Sequence, residues 1–193
     1  RSRATACYLT DHPAPEAHWL HNTPGGHDAL DPFTGLAFIA SQTSRVKLLS
    51  NIVVLPYRNP FITAKAAATL QILSGGRFIF GVGIGYQKAE FEALGVPHNE
   101  RGARSDEALE AIRLAWAGGA VVNRGLFFDA AGNEPRPVPS PAPPIWIGGG
   151  SDQAAERAAR RGDGWMPVYF PAVESNRVVS GAAVFSLAEL GGK

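Results

Sequence analysis

Residues 8–15 read YLTDHPAP: an apolar pair runs into Thr10, Asp11 and His12, and Pro13 and Pro15 then bar a helix. A strand that ends this way presents a carboxylate and an imidazole at its tip. Histidine is the side chain whose ordinary pKa lies closest to neutral, so His12 is the candidate for moving a proton. Asp11 is the candidate for orienting either the strand end or the imidazole. From the residues alone, His12 is either an acid–base group or a histidine that only hydrogen-bonds its neighbours.

Glycines form the second set. GVGIG (81–85) ends an apolar run, but it lacks the third glycine and the later acidic residue that a dinucleotide fingerprint needs. The favoured reading is a flat ligand lying across Gly83, Ile84 and Gly85 because no side chain stands in its way. Tight packing of the strand end is the alternative. GGGSDQAAERAARRG (148–162) places Gly149, Gly150 and Ser151 at a helix start. Backbone N–H groups, the positive end of the helix dipole and a hydroxyl converge there, which describes a phosphate cradle. A simple cap by Ser151 is the alternative. Trp165 either walls the ligand pocket or belongs to the core. Tyr86 reads equally as a hydrogen-bond partner of substrate or ring and as packing, while Arg101, beside Glu100, reads as ion pairing before a reach to the cofactor. Arg157, Arg160 and Arg161 read as a solvated helix face. His18, His21 and His27 have no cysteine or carboxylate pair beside them, so a substrate-facing loop with Trp19 is expected there rather than a metal site.

These residues need strands and helices to hold them. ACYL (6–9), VKLLSNIVVL (46–55), RFIFGVGIG (77–85), IWIGGG (145–150) and GWMPVYF (164–170) read as strands, the second apolar enough to be covered on both faces. Helices are predicted over 31–43 with Asp31 as cap, over 59–76 with Asn59 as cap, and over 87–94, 104–117 and 152–161. In the second of these, Ile62, Ala66, Thr69 and Leu73 share one face. Leu109, Ile112 and Trp116 do so in 104–117. AVVNRGLFFDA (120–130) reads as a hairpin around Asn123–Gly125, and PRPVPSPAPP as an extended connector. The alternation gives an α/β protein, either doubly wound or a (β/α) barrel, with its chemistry at the carboxyl ends of the strands.

Composition sets outer bounds. The 193 residues are 45% hydrophobic and 18% charged with a net charge of +1, which fits one globular domain and no broad attraction to nucleic acid or an acidic membrane. The single Cys7 has no partner for an internal disulfide, in keeping with a cytoplasmic location. No apolar run approaches the ~20 residues that span a bilayer, and no signal peptide is expected.

Together TDHPAP, LLSNIVVLPYRNPFITAKAAATL, LSGGRFIFGVGIGY, EFEALGVPHNERGARSDEALEAIRLAW, PPIWIGGGS and GDGWMP resemble the bacterial luciferase-like flavin and deazaflavin oxidoreductases, above all their branch that uses coenzyme F420. The resemblance runs from about residue 6 to about residue 170. It implies a (β/α)8 TIM-type barrel, here a single partial domain over 1–193 with about five or six of the eight strands, and commonly a homodimer. It places His12 near the substrate face of a ring bound at the strand ends. It also implies a non-proline cis bond at Asn51–Ile52 backing that ring, Gly83, Ile84 and Gly85 beside it, and phosphate contacts at Gly149, Gly150 and Ser151. The reaction implied is hydride transfer between F420 and a small organic substrate, with His12 supplying or accepting the proton. FMN-dependent monooxygenation on the same site is the alternative cofactor reading. A shortened, non-catalytic cofactor-binding or interaction protein is the second alternative.

Overall fold

The computed structural model describes residues 6–22 and 29–167. His27, residues 168–170 of the last expected strand and the tail beyond them lie outside the described residues. Five parallel strands form the main sheet: β1 (Ala6–Leu9), β2 (Lys47–Ser50), β4 (Phe78–Gly83), β7 (Ile145–Gly148) and β8 (Gly164–Met166). The two-residue β3 (Val53–Val54) also pairs with β4. Helices α1 (Ala17–Asn22), α2 (Pro32–Gln42), α3 (Pro60–Leu73), α4 (Lys88–Ala93), α5 (Arg101–Ala117) and α6 (Asp152–Arg161) lie between them. A hairpin, β5 (Val121–Arg124) and β6 (Asp129–Asn133), stands apart from the main sheet.

Strand order decides between the two expected architectures. A doubly wound sheet reverses its order at a switch point. Here β1, β2, β4, β7 and β8 are neighbours in chain order with no reversal. That is the winding of a (β/α) barrel, of which the described residues form part. Because every pair is parallel, all the strand tips lie on one side.

The run 46–55 departs from the single strand its composition suggests. It breaks after Ser50 at a cis Asn51–Ile52 bond, resumes for Val53–Val54, and turns into a short 3-10 helix at Leu55–Tyr57. The cis bond stands where the resemblance placed it. Helix α3 starts under its expected cap, with Asn59 accepting from the Phe61 N–H at 2.9 Å, but its buried face is not the expected one. Thr63, Ala64, Ala67, Ala68, Leu70 and Gln71 are buried, while Ile62 and Leu73 are exposed. An alanine-rich helix is apolar nearly all round, so periodicity does not fix its phase. Contact does: small side chains let α3 lie close to α5, and the Trp116 indole reaches the Ala64 carbonyl at 2.9 Å.

The core joins Leu48, Val53, Phe78, Phe80, Val82, Ile145 and Ile147 of the strands to Leu36, Ala64, Ala67, Leu109 and Ile112 of the helices. The hairpin turn falls at 125–128, later than its residues suggest, because Arg124 pairs with Asp129. The Glu107 carboxylate of α5 fixes it there by accepting the N–H groups of Leu126, Phe127 and Phe128. The proline-rich connector holds cis bonds before Pro137 and Pro141 and is tied to α3 by Lys65 and Gln71.

Opposite the strand tips, Arg77 organises the amino-terminal end of the sheet. Its guanidinium donates to the carbonyls of Ser74, Val46, Ala40 and Thr43 and to the Thr43 hydroxyl, at 2.7–3.0 Å. Those contacts join the ends of α2 and α3 to the starts of β2 and β4, and they match the five N–H donors of arginine. Lysine has three donors and no fork. Arg77→Lys is therefore expected to lower the stability by about 2–3 kcal/mol, read as a lower urea midpoint with an unchanged m-value.

Candidate active site

The tip of β1 carries Asp11 and His12 in different directions. Asp11 is buried, and its carboxylate accepts from the Val54 N–H at 3.1 Å and from the Arg58 guanidinium at 2.8 Å. Arg58 also reaches Asp31, the cap of α2, at 3.0 Å. Burial pulls the Arg58 guanidinium down, but the two carboxylates outweigh it and hold it above its ordinary value. Asp11 thus fastens the β1 tip to the segment after the cis turn and to the start of α2. Of its two expected roles, orienting the strand end is the one these bonds perform.

The imidazole is held from α4. His12 Nδ1 lies 3.2 Å from Glu90 Oε2 and 3.2 Å from Gln87 Nε2. Glu90 is fully buried and also accepts from the Tyr57 hydroxyl at 2.9 Å and the Ala14 N–H at 3.0 Å. Burial pushes this carboxyl up, but the bonds from His12, Ala14 and Tyr57 prevail and keep it below its ordinary value. An ionised carboxylate only accepts, so the Glu90 bond puts the proton on Nδ1 and the lone pair of the neutral ring on Nε2; Gln87 Nε2 only donates, so in that tautomer it lies beside Nδ1 without a bond to it. Folding favours the charged form of Glu90. That stabilisation is present above the ordinary carboxylate pKa and is lost as pH falls through the lowered one.

Aromatic rings flank the imidazole. Trp19 lies 4.9 Å away between ring centroids and Tyr86 lies 6.0 Å away edge-on. A cavity of about 440 Å³ opens beside them, lined by Glu16, Trp19, Tyr86, Gln87, Lys88 and Glu92 among others. Burial raises the Tyr86 hydroxyl above its ordinary value. Among the described residues no group of three or more histidine, cysteine or carboxylate side chains is placed to hold a metal ion.

The glycine-rich tips are more occupied than an open platform would be. A Cβ at Gly83 would run into the Ile52 side chain, and one at Gly148 would come within 2.8 Å of it. The two glycines make room for Ile52, which is the close packing that stood as the other reading of Gly83. Asn51 is exposed, and Ile52, Ile84, Gly85, Gly149 and Ser151 are half-buried at the same end of the sheet, with Gly150 buried beside them. Gly85 has φ +75°, and a Cβ there would meet Val54 and Phe91, so the turn requires glycine. Ser151 caps α6 by accepting from the Ala154 N–H at 3.2 Å. The Gly149 N–H already donates to the Met166 carbonyl, which takes it out of the expected cradle. Trp165 is exposed and donates its indole N–H to the Gly149 carbonyl at 2.9 Å, so it belongs to the mouth and not to the core.

Other expectations resolve by geometry. Glu100 pairs with Arg104 at 2.7 Å, and Arg101 donates to the His98 carbonyl instead. Arg157 is no solvated residue: it makes a two-point bond to Asp106 of α5. Glu90, Gln87 and Tyr57 were not singled out in the sequence. A signal existed for two of them, since Gln87, Glu90, Phe91 and Leu94 fall at i, i+3, i+4 and i+7, which sets two polar residues in an apolar stripe.

The family model described as luciferase-like monooxygenase matches residues 13–183. An F420-dependent glucose-6-phosphate dehydrogenase of Nocardia farcinica is 32% identical over 93% of this chain and 56% of its own length. The oxygenase component of a flavin-dependent trigonelline monooxygenase of Acinetobacter baylyi is 30% identical over 81% of this chain and 45% of its own. A crystal structure of a monooxygenase from Streptomyces bottropensis superposes with a TM-score of 0.73 at 32% identity, covering 85% of this chain and 48% of that one. The chain spans about half the length of the curated relatives it matches. With the family model matched over most of its length and a partial (β/α)8 barrel, the chain belongs to the luciferase-like monooxygenase family.

Proposed function

We propose that the protein is an oxidoreductase that moves hydride between coenzyme F420 and a small organic substrate, with His12 giving or taking the accompanying proton. The observation that carries the reading is an imidazole held through Nδ1 by a buried carboxylate, at the same end of the sheet as the cis turn. A bound deazaflavin would supply the hydride. A proton taken at Nε2 makes an imidazolium whose charge Glu90 offsets, so the ring can cycle without moving. The relative named as an F420-dependent dehydrogenase supports this coenzyme.

The residues at the mouth fit such a group. Asn51 and Ile52 would back the ring, Ile84 and Gly85 would lie beside it, and Trp165 would wall it. The N-terminal amides of α6, around Gly150 and Ser151, suit the anionic arm. The cavity beside Trp19 and Tyr86 would take the substrate. FMN on the same site is the second reading, supported by the flavin-dependent relative. A homodimer is part of the proposal.

Titration of the purified protein with each coenzyme, followed by ring fluorescence, separates the two. Binding of F420 is the expected result, and tight binding of FMN with none of F420 overturns the first reading. His12→Gln should lower turnover about 10²–10⁴-fold while leaving coenzyme affinity nearly unchanged. Unaltered turnover in that variant would remove the acid–base role. Gly83→Ala should push the Ile52 side chain toward the ring and weaken coenzyme binding on the order of tenfold, about 1.4 kcal/mol, in equilibrium titrations.

A further inference from the structure

We infer that Tyr57 is a positioning residue that sets the proton affinity of His12 through the Glu90 carboxylate the two side chains share. The inference rests on the reading of His12 as the acid–base group. One oxygen, Glu90 Oε2, accepts from both the Tyr57 hydroxyl at 2.9 Å and His12 Nδ1 at 3.2 Å, while Oε1 accepts from the Ala14 N–H at 3.0 Å. Donors on one oxygen share its charge. The more of it Tyr57 draws, the less is left to hold a proton on the imidazole.

Tyr57 is built for a fixed part in this. Its ring meets Phe91, the residue after Glu90, edge-on at 4.8 Å, and the 3-10 turn that carries it is anchored through Arg58 to Asp11. Burial and then the Glu90 charge push its hydroxyl well above the ordinary tyrosine range, so it stays a donor at every working pH.

Other groups face the imidazole from the elements around it. From α4, Gln87 meets His12 with a neutral amide, and its Oε1 is taken by the Glu16 N–H at 3.3 Å. Lys88 and Glu92 pair with each other at 3.6 Å on the exposed side of α4. Glu16 is exposed. Tyr86 faces the ring edge-on and is kept protonated by burial. Trp19 from α1 is neutral. Asp11, next in the chain, is paired with Arg58. Glu90 meets the imidazole directly with its charge, and Tyr57 is a hydroxyl bonded to the same oxygen.

The sign follows. Without the Tyr57 hydroxyl, the Glu90 charge is less dispersed and favours the imidazolium, so the His12 pKa rises. Without the Glu90 charge, the imidazolium loses its counter-ion and the His12 pKa falls. The test is an NMR pH titration of the imidazoles of the full chain without coenzyme, with the His12 signal identified among the five histidines by its loss in His12→Gln. Tyr57→Phe should raise the His12 midpoint by about 0.5–1 pH unit, and Glu90→Gln should lower it. The pH–rate limb assigned to His12 should move up in Tyr57→Phe by the same amount. A residue that only packs would move neither.

An unchanged or lowered midpoint in folded Tyr57→Phe, checked by near-UV circular dichroism, overturns the inference. That variant removes one oxygen atom, and it decides alone should Glu90→Gln fail to fold. Turnover of His12→Gln with bound coenzyme separately judges the acid–base reading, so the coupling and the role of the histidine stand or fall on different measurements.

Discussion

A carboxylate with no exposed surface must be neutralised or surrounded by donors, and Glu90 is surrounded. Its donors come from separate pieces of chain: the imidazole at the tip of β1, the backbone just after it, and a hydroxyl on the turn that leads into α3. None of these donors is close in sequence to α4. The β1 tip, the turn before α3 and α4 must therefore be brought together before the charge can be buried, and once buried the charge holds the pieces in register. Asp11 repeats the arrangement one residue before His12, with Arg58 and the Val54 amide as its donors. Two adjacent residues of one strand tip thus carry two different fastenings, one to the cis turn and one to α4.

The two ends of the sheet divide the labour. At the amino-terminal end, Arg77 gathers chain ends into one set of hydrogen bonds with little for a ligand to do there. At the carboxyl-terminal end the backbone turns sharply, the glycines leave close quarters, and aromatic rings surround a titratable side chain. Loops over this second end are set on a frame whose integrity is secured elsewhere. That separation is what lets one barrel support several chemistries, and the relatives of this chain include both an F420-dependent dehydrogenase and a flavin-dependent monooxygenase.

Much of the frame was legible in the sequence because local chemistry fixes it. Asp31, Asn59 and Ser151 are capping residues by type and cap their helices in fact. The strand expected over 145–150 forms over 145–148, and the helix at 152–161 stands where its pattern put it. Legibility ended where a long-range partner decides. The inward face of α3 depends on α5, the hairpin turn depends on Glu107, and Arg157 depends on Asp106. At the candidate site, His12 stood out because proline and strand isolate it. Glu90 looks like one more acid on a short helix until the β1 tip is brought within 3.2 Å.

Ile52 fills a notch cut from two neighbouring strands, with Gly83 on one wall and Gly148 on the other. Those three positions make up one mould of fixed volume, although some thirty and sixty-five residues of chain separate its parts. A bulkier wall leaves room only for a smaller plug, and a larger plug finds no wall left to trim. Change at any one of them is therefore constrained by the other two.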